Sequence, residues 1–179
     1  MFQRIPQSRF LSATIAATGA VLLMSGCDAT SSEPAAQAET TTQADAWVLT
    51  SVPEGAVSIT EAKATAKEGD QVIIKGRIGG RMTPISADSP VFLIVDLELE
   101  YCGQFDDDGC PTPWDYCCET PNTITTNSAT VQIMGDGAID PISAGLNPLD
   151  EIVLIGTVGP RPDSQVLTIK TTGIYRTDG

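Results

Sequence analysis

Histidine is absent from all 179 residues. Its absence removes Ser-His-Asp and Cys-His catalysis, histidine-ligated zinc or copper, and imidazole as a general base. Basic side chains are scarce. Ten Lys and Arg stand against 23 Asp and Glu, and none lies between Arg81 and Arg161. A field of that sign repels phosphate backbones and anionic headgroups, so nucleic acid is not an expected partner. It favours cations or basic partners, or serves solubility alone. No Gly-rich phosphate loop is present, because Gly76-Arg-Ile-Gly-Gly80 lacks both the spacing and the following helix of a dinucleotide fingerprint. Paired carboxylates remain able to catalyse, but acids are too numerous to single out a pair. The chain therefore reads as a non-enzyme.

What is present begins with an export signal. Arg4 and Arg9 give a basic start with no acid before Cys27. The run from Phe10 to Met24 is apolar but short and diluted with Thr and Ser, unlike a membrane-spanning helix. It closes on Leu23-Met24-Ser25-Gly26-Cys27, which resembles the lipobox of bacterial lipoproteins, with Met24 where that family usually carries Leu. The resemblance implies that residues 1–26 are a lipoprotein signal peptide cut before Cys27. The Cys27 sulfur would take a diacylglycerol and hold the chain to a membrane of the cell envelope, outside the cytoplasm. The plainer alternative is an ordinary cleaved signal peptide or an uncleaved anchor. Asp28 looks like the inner-membrane retention signal of some enteric bacteria, which favours the periplasmic face of that membrane. Residues 27–46 contain no large apolar side chain and read as a disordered, lipidated tether. Loss of residues 1–26 takes two bases and no acid, leaving eight against 23 and a net charge of −15.

Residues 47–179 are the size of one domain and show no internal repeat. Ser58-Ile-Thr-Glu61 fits a capping box, and Ala62, Ala64 and Ala66 extend a short helix toward Gly69. Gln71–Ile78 alternates as a half-buried strand, with Gly76 a bend or bulge. Val91–Leu99 reads as a long strand, buried on both faces at first and wet on one face later. Ala129–Met134, Glu151–Val158 and Val166–Tyr175 complete five strands. Asp140-Pro141 opens one helical turn running to about Leu146, and Gly159-Pro-Arg-Pro162 with Asp163-Ser164 turns the last hairpin. With no crossover helix between the later strands, a parallel sheet is not expected. Val72, Ile74, Val95, Leu97, Val131, Ile133, Leu154 and Ile169 are assigned to one core. The order predicts an all-β, five-stranded OB-fold-like Greek-key barrel with one short N-terminal helix. An immunoglobulin-like sandwich would need about two more strands. The segments at 69–77 and 150–158 look like the first and fourth strands of such barrels, and the chain resembles bacterial exported lipoproteins with a single OB-fold domain. That resemblance implies a binding module without assigned activity.

Between the second and third strands, an insertion at 100–122 holds Cys102, Cys110, Cys117 and Cys118. An exported domain matures where thiols pair, so two disulfides are expected. A vicinal Cys117–Cys118 bridge is strained, which leaves Cys102 and Cys110 to pair with Cys117 and Cys118 in either order. The bridges order a loop that has no core of its own, or they hold a rigid recognition surface carrying Trp114 and Tyr116 toward a protein or glycan partner. No cofactor is required by this reading. Other chemistries are conceivable for the same loop. Four thiolates can hold zinc, though Cys-x₂-Cys spacing is missing. Asp106, Asp107 and Asp108, with Asp115 and Glu119, could gather oxygens around Ca²⁺, without the alternating acids of an EF-hand. A vicinal redox switch would lack a cationic neighbour. An oligonucleotide or oligosaccharide on the barrel face is the remaining alternative.

Overall fold

The computed structural model describes residues 46–105 and 109–177. The signal segment, Cys27, the tether up to residue 45 and the aspartates Asp106, Asp107 and Asp108 lie outside the described residues. No described helix is long and apolar enough to cross a membrane.

Helix α1, Ile59–Thr65, starts where the capping residues place it. Ser58 is extended, and its hydroxyl accepts the Glu61 N–H at 3.2 Å, satisfying a donor that a helix start leaves free. Ile59 and Ala62, one turn apart, are the buried residues, and they turn toward β1 and β3. The strands are β1 Gln71–Ile78, β2 Val91–Val95, β3 Ser128–Ile133, β4 Glu151–Val158 and β5 Thr168–Arg176. They close into a barrel in the order β1-β2-β3-β5-β4, the arrangement of an OB-fold. Four contacts are antiparallel. The β3–β5 contact is parallel, with Val131 opposite Ile169. No helix is needed for that crossover, because β4 itself carries the chain back.

Ile74, Val131, Ile133, Leu154 and Ile169 fill the core as their alternation predicts, and Val72 packs at its edge. Strand β2 departs from expectation in two ways. It ends at Val95, and Phe92 and Ile94 face the barrel core, not Val95 and Leu97. Val95 is fully buried on the opposite face, while Leu97 sits half-buried in a turn. Gly76 lies in an unbroken β1–β4 register, so it is no bulge. A Cβ there would stand 3.1 Å from the Val95 carbonyl and 3.2 Å from Ile59 Cδ1, so glycine lets α1 approach. The register shift occurs instead between Ile155 and Gly156 opposite β5, where the buried Thr171 hydroxyl donates to the Ile155 carbonyl at 2.8 Å. The turn after Asp140 forms as expected. Its carboxylate accepts the Ile142 and Ser143 N–H groups, and Gly145 at φ +93° closes the turn with a Leu146 N–H to Pro141 carbonyl bond. Trp47, 3% exposed, enters the core because its segment bonds along Ile174 of β5.

A second helix, α2 (Pro121–Asn127), was not expected from the sequence. Thr120 caps it by accepting the Thr123 N–H, and Pro121 occupies its first turn.

Candidate functional site: the cysteine-rich loop

The loop leaves β2 at Asp96, whose alternation suggests a wet surface position. Instead it is 2% exposed, and the same carboxylate accepts from the Thr60 N–H and hydroxyl, both at 3.2 Å, and from the Glu98 N–H. Its own N–H donates to the Asn127 carbonyl at 2.8 Å. One residue thus ties the start of α1, the end of α2 and the root of the loop, which is why β2 stops there.

Beyond Asp96 the chain folds back over the outside of the barrel. The Gly80 N–H donates to the Trp114 carbonyl at 3.1 Å, and the Trp114 indole donates to the Met82 carbonyl at 3.1 Å. Within the loop, the Cys102 N–H reaches the Asp115 carbonyl at 2.8 Å and the Gly103 N–H reaches the Pro113 carbonyl at 2.9 Å. These bonds seat Tyr116 against Gly79 at the end of β1. A Cβ at Gly79 would meet the Trp114 carbonyl at 2.6 Å and Tyr116 Cε2 at 3.1 Å, and one at Gly80 would meet Val95 Cγ2 at 2.8 Å. The contacts at Gly79 seat the loop on the end of β1, and the contact at Gly80 packs that segment against the outer face of β2, where Leu93 and Val95 are buried.

Arg77 anchors the loop from below. Its guanidinium lies 4.7 Å over the Tyr101 ring centroid and donates to Glu151 Oε1 at 2.8 Å. Burial works against its charge, but Tyr116 and Glu151 outweigh this and raise its pKa. Burial raises the Tyr116 phenol in turn, with Arg77 opposing. The two groups sense each other electrostatically, yet Arg77 Nη1 and Tyr116 Oη are buried without a hydrogen-bond partner of good geometry among the described residues. Alternation with the buried Ile74, Gly76 and Ile78 puts Arg77 on the outward face of β1. The loop above it is what covers it.

The structure separates the two aromatic residues proposed for recognition. Trp114 is half-buried with one edge available, whereas Tyr116 is 1% exposed and forms the floor of the loop. Tyr116 therefore anchors and does not present. Met82 and Phe105, 74% and 50% exposed, are apolar surface that the sequence reading did not single out. A cavity of about 100 Å³, lined by Tyr101, Phe105 and Tyr116 with Glu100 and Glu119 at hand, opens beside them.

Three of the four thiols form one cluster, and the fourth, Cys110, approaches it at Cys117. Cys102 Sγ is 2.7 Å from Cys117 Sγ, and Cys110 Sγ is 3.3 Å from the same atom. The sulfurs of Cys102, Cys117 and Cys118 lie within 4.8 Å of one another, the one such grouping of metal-capable side chains among the described residues. All four are free thiols here. Hydrogen bonding with Cys102 and then Cys110 raises the Cys117 thiol, and the Thr112 backbone lowers Cys110. Asp115 accepts its neighbour's N–H from Tyr116 at 2.8 Å, and Glu119 lies at the cavity, so these two acids serve different places.

No family model and no curated protein matches the chain. Among solved structures it is similar to the hypothetical protein ygiW from E. coli (16% identity, 70% of this chain and 94% of that one, TM-score 0.38). It is similar also to an OBody bound to hen egg-white lysozyme (14% identity, 72% and 100%, TM-score 0.41). A third likeness is to the aspartyl tRNA synthetase from Entamoeba histolytica (10% identity, 89% and 28%, TM-score 0.42).

Proposed function

We propose that this chain is a non-enzymatic binding or assembly module of the bacterial cell envelope, tethered through a lipidated Cys27 and meeting a protein or glycan partner with its cysteine-rich loop. One observation supports the reading: the loop is seated on the Gly79–Gly80 segment, whose Gly80 N–H donates to the Trp114 carbonyl at 3.1 Å, and Leu93 and Val95 on the outer face of β2 are buried, at 9% and 0% exposure. OB barrels commonly offer the face of strands 2 and 3 to oligonucleotides and oligosaccharides. Here the β2 half of that face is buried by the chain itself, and the surface offered to a partner is the exposed Met82 and Phe105 with the half-buried Trp114. Oligonucleotide binding is disfavoured further by the stretch from residue 82 to 160, which has no Lys or Arg. A loop already ordered on the barrel loses little entropy when it binds.

Two measurements test the proposal. Cys27→Ser should move the protein from the membrane to the soluble envelope fraction or block its processing; a variant that stays membrane-bound at mature size removes the anchor. A photocrosslinking amino acid at Met82 should trap a discrete envelope component in growing cells, whereas one at Ser164, exposed in the β4–β5 hairpin, should not. Identical adducts at both positions, or none at Met82, would remove the loop as the recognition surface.

A further inference from the structure

The position of the sulfurs separates the pairings that the spacing leaves open. A tetrahedral zinc with bonds of about 2.3 Å sets its thiolates roughly 3.8 Å apart. Cys102 and Cys117 are about an ångström closer than that, at 2.7 Å, and Cys110 and Cys117, at 3.3 Å, are also too close. A vicinal Cys117–Cys118 bridge is opposed by reach. Consecutive Cα atoms across a trans peptide are about 3.8 Å apart, short of the roughly 4.4–6.8 Å that disulfides span, and no described peptide is cis. Cys117 must then choose between Cys102 and Cys110. Cys102 is the nearer sulfur, it is 3% exposed, and it also accepts the Cys117 N–H at 3.0 Å. Its place is fixed by its own N–H bond to the Asp115 carbonyl. Cys110, by contrast, is half-buried.

We propose that the loop matures through two interlaced disulfides, Cys102–Cys117 and Cys110–Cys118. Each forms when two thiols give up two protons and two electrons to an incoming disulfide of the thiol-oxidant class, which departs as a dithiol. The first bridge ties the loop's root to the strand-like segment seated on Gly79 and Gly80. The second closes the turn that carries Trp114. The inference rests on the envelope reading only for the oxidising compartment; the Cys102–Cys117 pairing follows from the packing, and Cys110–Cys118 follows from it by elimination.

Adjacent cysteines cannot be parted by a protease, so single substitutions decide the connectivity. The full chain is purified in a Cys27→Ser background, oxidised with glutathione disulfide, denatured without reductant and alkylated. Cleavage before aspartate then separates the Cys102 peptide from that of Cys110. Cys117→Ser should leave Cys102 as the alkylated thiol, and Cys118→Ser should leave Cys110. The opposite assignment, Cys110 in the first variant and Cys102 in the second, overturns the proposal. So does the parent chain retaining stoichiometric zinc with four alkylatable thiols after oxidation. If protein taken from cells carries four thiols while the oxidised chain shows the proposed bridges, the envelope reading fails and the pairing stands.

Discussion

Alanine at position 79 asks whether the loop is seated on the barrel. Gly79 is buried just past β1, and its N–H donates to the Leu93 carbonyl at 3.2 Å. Its φ is not in the left-handed region, so alanine meets no backbone penalty of its own. The obstacle is the Trp114 carbonyl oxygen, 2.6 Å from the new Cβ. That oxygen belongs to the backbone and is held by the Gly80 N–H, so it cannot swing aside as the end of a side chain would. Forcing a methyl into a packed site costs about 1–3 kcal/mol. Losing the Gly80–Trp114 hydrogen bond adds about 1 kcal/mol, and the smaller unfolded-state entropy of alanine returns roughly 0.4–1 kcal/mol. The net destabilisation is about 2 kcal/mol, and it should fall on the loop before the barrel. Urea denaturation and limited proteolysis of residues 99–120 read the two effects separately. Gly135→Ala is the control, because among the described residues its Cβ would meet just the Ile139 side chain, at an ordinary 3.4 Å from Cδ1 and 3.9 Å from Cγ1. A Gly79→Ala protein with the wild-type urea midpoint and an equally protected loop would refute the packing described above.

Two further outcomes follow from the barrel and from the helix that flanks it. Leu154, fully buried opposite Ile74 on β1 and Ile174 on β5, should cost about 2–5 kcal/mol on replacement by Ala, and its half-buried neighbour Ile155 clearly less; thermal melts that reverse this order contradict the register. Burial, and then the charge of Arg161, lower the Lys63 pKa to about 8 against the opposing pull of Asp163. Between that pH and the ordinary lysine value the unfolded chain holds a proton that the folded one has released, so stability should rise with pH across this window. Paired melts of wild type and Lys63→Met check this, since the variant should lack that rise.

Most strands were legible because their alternation has one meaning. Ile74 and Ile78 in β1 and Val131 and Ile133 in β3 share a face by their spacing alone, and both strands stand close to the predicted limits. β2 was legible as a strand but not in its facing. Val91–Val95 is apolar at every position, and a run without a period cannot say which side faces the core. Asp96 misled for a related reason. An acid followed by Leu97, Glu98 and Leu99 continues an alternating pattern, but its carboxylate is drawn inward by Thr60, a partner 36 residues away that no local pattern reveals. The helix α2 is the opposite case. Its cap Thr120 and first-turn Pro121 are in plain view, yet the body, rich in Thr and Asn, has the low helix propensity that masks such a signal.

In the site, composition identified the loop and packing assigned its parts. Four cysteines within seventeen residues announce a crosslinked or chelating element whatever the fold beneath. Trp114 and Tyr116 are equivalent in sequence, both aromatic and one residue apart. Their roles divide only because glycine at 79 opens a berth at the end of β1 into which Tyr116 fits while Trp114 turns its indole toward the Met82 carbonyl. The loop also explains why Arg77, an outward position on β1, is half-buried, because the Tyr101 ring lies over its guanidinium at 4.7 Å. The loop's order is therefore a property of the barrel surface as much as of its own cysteines. Bridging the thiols would fix a conformation that Gly79, Gly80 and Arg77 already select, and for that reason a Gly79 substitution should disturb the recognition surface even in a fully oxidised protein.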